Sequence, residues 1–358
     1  MRNFCLFLYL FLFTFGCISH QQSENTIIVE NFPINVLLEG ERITIPPILL
    51  DPDVMHISDS ILIVLQVSGK KKLEFFQLPD CKYLKRYGNE GKGPEDFIRI
   101  ASGTFSVGAH KNLILLDRLK RVRFFNCGDI HQDNWKPYRE IDFPHKLSHT
   151  FQLVYDGDSI LYGHASNEEI NSEVFAFNVH SQKESSFIKY PDNYVGMSNY
   201  DKSRIYIQRL GIKPDGLKLV SAYYYFKKIR IYNIKSKSYI ELIYKDSPKD
   251  ENISSVKMIG GEYDIRHYIT FFMGDLRVSN RYIYAEMYNE KISNLGNHRS
   301  TLNTEIHIFD WSGKPVAKCT FDEPIDCYAV TQDDKYLYAV NAAEEGVIRR
   351  YSLKEIFK

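Results

Sequence analysis

The chain has 358 residues and a formal net charge of zero, because 45 lysine and arginine residues balance 45 aspartate and glutamate residues. This balance excludes the strongly basic composition of a nucleic-acid-binding protein, so we expect no nucleic-acid partner. Hydrophobic residues make up 44% and charged residues 25%, which excludes a disordered chain and a multispanning membrane protein. Aromatic residues reach 14%, dominated by Tyr and Phe, and they favour sheet. The composition predicts a folded all-β body.

The first residues have the pattern of a secretory signal. Arg2 precedes an apolar run over residues 4–13, which is short for a membrane span. The pair Gly16-Cys17 resembles the end of the lipobox cut by the lipoprotein signal peptidase, although the two residues before it depart from the preferred pattern. We predict a signal peptide over residues 1–17 and a lipid on Cys17. Ordinary cleavage, leaving a soluble periplasmic protein, is the alternative.

Residues 18–31 are predicted to form a flexible tether, since they begin with a polar, unpatterned stretch. They lack the acidic run directly after the cysteine that marks many surface-exported lipoproteins. We therefore expect a cell-envelope lipoprotein of the outer membrane, on the periplasmic side rather than at the surface. The lipid would be its contact with the membrane.

Four cysteines remain in the predicted body, and none belongs to a CxxC pair, so a zinc site is not expected. They could pair as disulfides in an oxidising compartment, or they could be buried free thiols. These cysteines are Cys81, Cys127, Cys319 and Cys327.

A degenerate unit of roughly 40 to 50 residues recurs along the body, which is the size of a propeller blade. The cores of its second strands are residues 60–64, 112–116, 159–162, 217–220, 281–284 and 335–338. The cores of its third strands are residues 73–76, 122–125, 174–177, 229–232, 306–309 and 347–351. Several of these cores alternate apolar with polar residues, the period of a strand. We predict an all-β, six-bladed β-propeller with four-stranded antiparallel blades over residues 32–358.

Three details follow from this pattern. Residues 34–45 precede the first blade and have no local partner, so we predict that they supply the outer strand of the last blade and close the ring. Residues 286–303 are predicted to form a polar loop in the fifth blade. No segment of the body predicts a helix of three turns, and residues 353–357 predict at most a terminal turn.

A glycine-rich loop lies between the first and second units. Its glycines permit positive φ, its proline fixes the exit of the loop, and its phenylalanine can anchor the next strand. It resembles the GxxGxGPxEF signature of the six-bladed, TolB-like propeller lipoproteins of Gram-negative bacteria, relatives of NHL-repeat propellers, with aspartate in place of the commoner glutamate. The residues are Gly88, Gly91, Gly93, Pro94, Asp96 and Phe97. The resemblance implies the propeller fold, an exported lipoprotein and a binding role. The glycine order and the following proline do not fit a phosphate-binding loop.

Polar residues near the predicted innermost strands are candidates for facing a ligand. All are cationic or imidazole side chains, which suit an anionic or polar ligand better than a hard cation. The alternative is that each is a solvated residue at the rim. The candidates are His56, Arg99, His149, Arg209 and His267.

No HExxH, GxSxG or EF-hand spacing occurs in the chain, so we assign no catalytic or metal-binding residue and expect no cofactor. The leading hypothesis is a non-enzymatic, lipid-anchored propeller that binds a protein, peptide or glycan of the envelope. One alternative is a hydrolase, lactonase or lyase that uses a calcium ion in the central channel. A second alternative is a structural subunit of an envelope complex.

Overall fold

A computed structural model describes most of the chain. The described residues are 23–46, 48–68, 71–93, 95–117, 121–191, 197–247, 258–259, 262–263, 270–291 and 304–357. Cys17, Pro94 and His267 therefore lie outside the described residues. Within the described part of the chain, no helix is long and apolar enough to cross a membrane.

The chain is built almost entirely of strands. Three precede the first blade: β1 (Ser23–Val29), β2 (Ile34–Leu38) and β3 (Gly40–Thr44). Blade one contains β4 (Pro52–Ser58), β5 (Ile61–Gln66), β6 (Lys71–Gln77) and β7 (Lys82–Asn89). Blade two contains β8 (Ser106–Val107), β9 (Asn112–Asp117), β10 (Arg121–Asn126) and β11 (Arg139–Asp142). Blade three contains β12 (Thr150–Tyr155), β13 (Ile160–Ala165), β14 (Val174–Asn178) and β15 (Lys183–Ile188).

A short helix, α1 (Asn199–Ile205), leads to the second half of the ring. Blade four contains β16 (Gln208–Ile212), β17 (Lys218–Tyr223), β18 (Lys228–Asn233) and β19 (Tyr239–Tyr244). A small hairpin follows, made of β20 (Met258–Ile259) and β21 (Glu262–Tyr263). Blade five contains β22 (Thr270–Val278), β23 (Tyr282–Lys291), β24 (Glu305–Asp310) and β25 (Pro315–Phe321). Blade six contains β26 (Cys327–Val330), β27 (Tyr336–Val340) and β28 (Val347–Ser352).

Within each blade, successive strands pair antiparallel, and the first strand lies innermost. This arrangement confirms the predicted six-bladed β-propeller with four-stranded blades. The alternation of strand direction gives the ring two faces. The turns between first and second strands, and between third and fourth strands, lie on what we call the lower face. The connections between second and third strands, and from one blade to the next, lie on the upper face.

The N-terminal strands are shared among three blades. β3 pairs antiparallel with β28 and completes blade six, as predicted for residues 34–45, but only the second half of that stretch does so. β2 instead pairs parallel with β25 at the outer edge of blade five. β1 pairs parallel with β19 at the outer edge of blade four. The predicted tether over residues 18–31 is thus corrected, because residues 23–29 form a strand whose Val29 is buried.

Apolar packing lies between blades rather than in one central core. Each pair of neighbouring blades holds its own cluster of buried side chains. Between blades one and two, for example, Phe125 stacks on Trp135 with ring centroids 4.6 Å apart, and Phe75 meets the same indole edge-on at 5.2 Å. The second strands are buried on both faces, as the continuous burial of β5 illustrates. The ring buries its apolar surface fully only when every blade meets both neighbours.

Three further predictions concern a loop, the cysteines and the helix content. The loop predicted over residues 286–303 begins later, because β23 continues to Lys291 and buries Glu286 and Met287; residues 292–303 lie outside the described part. The four cysteines of the body are free and buried, which favours the thiol alternative over disulfides. Helix α1 has seven residues and is shorter than three turns, in agreement with the prediction that no segment forms a helix of that length.

Candidate functional site

One residue from each blade faces the central tunnel at the same level. These residues occupy equivalent positions on the innermost strands. Five of them lie one residue before the last residue that pairs with the second strand, and His56 lies two residues before it. They are His56, Ser106, Val154, Gly211, Arg277 and Ala329. The cavity that they line has a volume of about 50 Å³. That is room for a few water molecules and too little for an organic ligand, which needs about 300 Å³ or more.

Arg277 largely closes the tunnel at this level. Its Nε donates to the carbonyl oxygens of Met55 at 2.8 Å and Tyr328 at 3.0 Å. Its Nη1 donates to the carbonyl oxygen of Leu276 at 2.8 Å and to Oδ1 of Asp275 at 2.7 Å. Because these acceptors belong to blades one, five and six, one buried guanidinium joins three blades around the tunnel.

Asp275 lies one level higher, between two arginines. Burial alone would raise the pKa of its carboxyl group, but the charges of Arg277 and Arg209 outweigh burial and lower that pKa. Nε of Arg209 is 3.8 Å from Oδ1 of Asp275, and its guanidinium lies 5.4 Å from the ring centroid of Tyr224. Asp275 is therefore an ionised carboxylate held by two cations. With Gln152 it lines a second, upper cavity of about 30 Å³.

His56 faces the same tunnel as a neutral imidazole. Burial and the nearby charge of Arg277 lower its pKa to about 3. Its Nε2 lies 3.0 Å from the carbonyl oxygen of Phe105, and since a carbonyl can only accept, Nε2 carries the proton. The sequence-predicted residues His56 and Arg209 thus lie close together in the tunnel, and both already have protein partners.

A larger cleft opens on the upper face between blades one and two. Its volume is about 330 Å³, within the range of small-ligand sites. It is lined by residues 65–67, Lys72, Glu90 and residues 98–102. Ser102 lines both this cleft and the upper tunnel cavity, so the two spaces adjoin.

The cleft carries two cationic side chains in different states. Lys72 is buried, and its Nζ donates to the carbonyl oxygen of Val67 at 3.0 Å and to Oε2 of Glu90 at 2.9 Å. Arg99 is exposed; its backbone N donates to Oδ1 of Asp117, while its guanidinium has no partner among the described residues. Arg99 does not lie on the innermost strand as predicted, because β8 begins only at Ser106. It lies in the connection from blade one to blade two.

The glycine-rich loop forms one end of the cleft. Gly88 has φ +72°, and a Cβ atom there would lie 2.1 Å from Cε2 of Phe97, so the close approach requires glycine. The Asp96 carboxylate accepts from the backbone N of Gly93 at 2.9 Å and from Nδ2 of Asn89 at 3.1 Å. These bonds close the loop on itself. Phe97 is fully buried, and the loop positions Glu90 at the cleft.

The residues present do not fit the calcium centre of the alternative hypothesis. Within the described residues, no three His, Cys, Asp or Glu side chains come together in a way that could hold a metal ion. Among the described residues that line the tunnel cavities, Asp275 is the one carboxylate, and two guanidinium groups already neutralise it.

Comparison with known proteins agrees with this architecture. The family described as "TolB-like 6-blade propeller-like" matches residues 49–333. The chain belongs to this family. A Bacteroides fragilis protein described as exported is 11% identical, with a TM-score of 0.56, and the match covers 91% of this chain and 98% of that one. A member of the duf4221 family from Bacteroides vulgatus is 11% identical, with a TM-score of 0.55, covering 88% and 97% of the two chains. No curated protein matches the chain.

In this TolB-like propeller, the other predicted site residues lie elsewhere. His149 is exposed on the upper face outside both tunnel cavities and the cleft, with Nδ1 3.2 Å from Oγ of Ser148. His267 lies outside the described residues. Three site residues were not predicted from the sequence: Lys72 in the cleft and the pair Asp275 and Arg277 in the tunnel. Two opposite charges two residues apart in an apolar strand point to one face, and that signal could have identified the pair.

Proposed function

We propose that this protein is an exported, lipid-anchored propeller that binds a polypeptide segment in the upper-face cleft between blades one and two. The observation that supports this proposal most directly is the exposed guanidinium of Arg99. It lines the same cleft as Val67, an apolar side chain that is 51% exposed. Leu50, 64% exposed, lies beside them, because its backbone N donates to Oε1 of the cleft residue Gln66. An unpaired cation next to exposed apolar surface favours a ligand that presents a carboxylate beside an apolar side chain.

A glycan ligand would use such a cleft differently. An anionic glycan could pair with Arg99, but it would leave Leu50 and Val67 without an apolar partner. The tunnel is less suited to either ligand, since Arg277 and Asp275 fill it and hold each other. These features support a protein or peptide over a glycan, and binding in the cleft over catalysis in the tunnel.

Binding can be tested with defined probes. We would measure the affinity of the purified protein for a short peptide that alternates Glu and Leu, and for matched Lys-Leu, Glu-Ser and oligogalacturonate probes. We expect the Glu-Leu peptide to bind most tightly. Arg99→Glu should weaken it about tenfold or more, the loss of one charge-assisted contact. Lys82→Glu, at an exposed lysine of β7 outside the cleft, is the matched control and should leave the affinity unchanged. Binding that ignores Arg99→Glu would refute the cleft as the site.

Anchoring and location form the second part of the proposal. The apolar start of the chain and Gly16-Cys17 support export and lipidation, in keeping with the exported description of the similar Bacteroides fragilis protein. We place the protein at the outer membrane, facing the periplasm. Replacing Cys17 by Ala should move it from the membrane fraction to the soluble fraction. Retention of the Cys17→Ala variant in washed membranes would contradict the lipid anchor.

A further inference from the structure

Two turns of blade four form a basic surface on the lower face. Residues 213–218 join its first and second strands, and residues 233–238 join its third and fourth. Together they contain four lysines and a single aspartate. The backbone N of Ile234 donates to the carbonyl oxygen of Leu217 at 3.0 Å, so the two turns form one surface. We call these residues the basic turn pair.

The basic turn pair also presents an apolar side chain to solvent. Leu217 is 65% exposed, although it precedes a buried strand. An exposed leucine among lysines is a combination found where proteins rest on membrane interfaces. A single exposed apolar residue is ordinary by itself, so the charges around it and the position of the N-terminus carry the argument.

Part of this positive charge is free to meet an external anion. Lys213 pairs with Asp215, and Nζ of Lys218 donates to the carbonyl oxygen of Trp311 at 2.7 Å. Lys235 is exposed and its side chain has no partner among the described residues. Nζ of Lys237 lies over the ring of Phe187, 5.7 Å from its centroid, and forms no ion pair among the described residues.

A turn of blade five lies beside the basic turn pair. Gly313 of blade five packs so closely on blade four that a Cβ atom there would lie 2.7 Å from Cδ2 of Leu242. The next residue, Lys314, is exposed. The turn also contains Asp310, whose Oδ1 accepts hydrogen bonds from the backbone N atoms of Ser312 and Lys314. Lys314 and Asp310 balance in charge, so the positive charge of this surface comes from the basic turn pair itself.

The N-terminal end of the described chain lies next to the same surface. Ser23, the first residue of β1, is opposite Tyr239, which directly follows the turn over residues 233–238. Cys17 is six residues earlier in the sequence. Six residues can span at most about 20 Å, so a lipid on Cys17 would lie within that distance of the basic turn pair.

We infer that the basic turn pair rests on an anionic phospholipid surface, with Leu217 at the headgroup boundary and Lys235 and Lys237 facing lipid phosphates. This inference rests on the lipid anchor of the proposed function. It orients the molecule: the lower face of blade four lies against the membrane, and the cleft on the upper face points away from it, towards partners in the surrounding space. Lysines beside an anchored chain add electrostatic attraction to the lipid.

Fluorescence quenching tests this orientation on the full-length lipoprotein in vesicles of phosphatidylcholine and phosphatidylglycerol. A fluorophore on Leu217→Cys is compared with one on Lys92→Cys, an exposed site of the upper face, using lipids with a headgroup nitroxide as quencher. The body's own cysteines are buried, and burial raises the pKa of the thiols of Cys81 and Cys319 to about 12, so the introduced thiol is labelled selectively. We expect strong quenching at residue 217 and little at residue 92. Equal quenching, or stronger quenching at residue 92, overturns the inference.

A charge-reversal variant separates the surface from the anchor. Lys235→Glu combined with Lys237→Glu should reduce quenching at residue 217 while the protein still floats with the vesicles. Unchanged quenching in this variant overturns the inference and leaves the anchor standing. A protein that does not float at all refutes the anchor. In that case, the affinity of the same protein for these vesicles at low salt tests the basic turn pair. The two substitutions should weaken this affinity about tenfold. Absence of binding by the unsubstituted protein overturns the inference.

Discussion

Nη1 of Arg277 donates to Oδ1 of Asp275 across 2.7 Å, and both residues belong to the innermost strand of blade five. The pair faces the tunnel because residues two apart in a strand point to the same side. Nε of Arg277 donates to backbone oxygens of blades one and six. A single side chain therefore bridges from blade five to the blade that begins the ring and the blade that ends it.

Replacing Arg277 by Met should be strongly destabilising. The substitution leaves the buried Asp275 with Arg209 alone and removes the donor from several buried carbonyl oxygens. We expect the free energy of unfolding to fall by about 3–5 kcal/mol, the usual result of removing one partner of a buried ion pair. Urea denaturation followed by tryptophan fluorescence measures it. Arg42→Met, at a side chain that is 60% exposed, is the control and should cost less than about 1 kcal/mol. Similar losses in the two variants would mean that the bridge contributes little.

Gly88→Ala should destabilise more than the same substitution at Gly216. The two glycines have almost equal φ, +72° and +73°, so the cost of positive φ is about the same for both. They differ in their neighbours: a Cβ atom at residue 88 would lie 2.1 Å from the buried ring of Phe97, against 3.0 Å from a backbone oxygen at residue 216. We expect a difference of about 1–3 kcal/mol in the free energy of unfolding. Equal values in chemical denaturation would show that the loop relaxes around the new methyl group.

Glu74 should make the protein less stable as the pH rises. Burial raises the pKa of its carboxyl group from 4.5 to about 7, although Arg86 opposes the shift. The neutral form therefore contributes stability that is complete below the unfolded pKa of about 4.5 and is lost as the pH rises through about 7. Glu74→Gln should gain stability relative to the natural protein over this interval and keep a constant gain above it.

Thermal unfolding from pH 4 to pH 9 checks this prediction. Glu169→Gln is the matched control, because Glu169 is exposed and the same substitution there should give no such pH dependence. A stability difference between Glu74→Gln and the natural protein that stays constant with pH would show that Glu74 titrates normally.

Two truncations should separate the roles of the N-terminal strands. A protein that begins at Phe32 lacks β1 alone and should remain a closed propeller with a modest loss of stability, because blade four keeps its own four strands. A protein that begins at Ile45 also lacks β2, the outer strand on blade five, and β3, the fourth strand of blade six. We expect this second protein to lose cooperative unfolding in calorimetry. A cooperative transition for both would show that β28 can end the ring without a partner.

The strands were the part of this fold that the sequence specified most clearly. β5 reads Ile-Leu-Ile-Val-Leu-Gln and is buried throughout, so its apolar run is continuous and easily found. The innermost strands were harder, because β8 has only two residues and its neighbours are irregular. The alternation of apolar and polar residues around Arg99 resembles that of a strand, but Ile100 makes only an isolated bridge to Asp117. Local periodicity does not distinguish such a connection from a true strand.

The candidate site could be predicted only in part for a related reason. Arg99 was identified as a cation that faces a ligand, but its cleft depends on the packing of Lys72 and Glu90 from elsewhere in blade one. Asp275 and Arg277 become a tunnel pair only when six strands converge. These relationships join residues far apart in the chain, and a single sequence without a structure does not contain the distances between them.

The parallel pairing of β1 with β19 has a mechanical consequence. Their register runs from Ser23 opposite Tyr239 to Val29 opposite Tyr244. A pull on Ser23 along the strand would load these hydrogen bonds together, in shear, rather than breaking them one after another. The next segments, β2 and β3, are fastened to two further blades. Tension applied at the N-terminus would thus be distributed over half of the ring before any blade had to open.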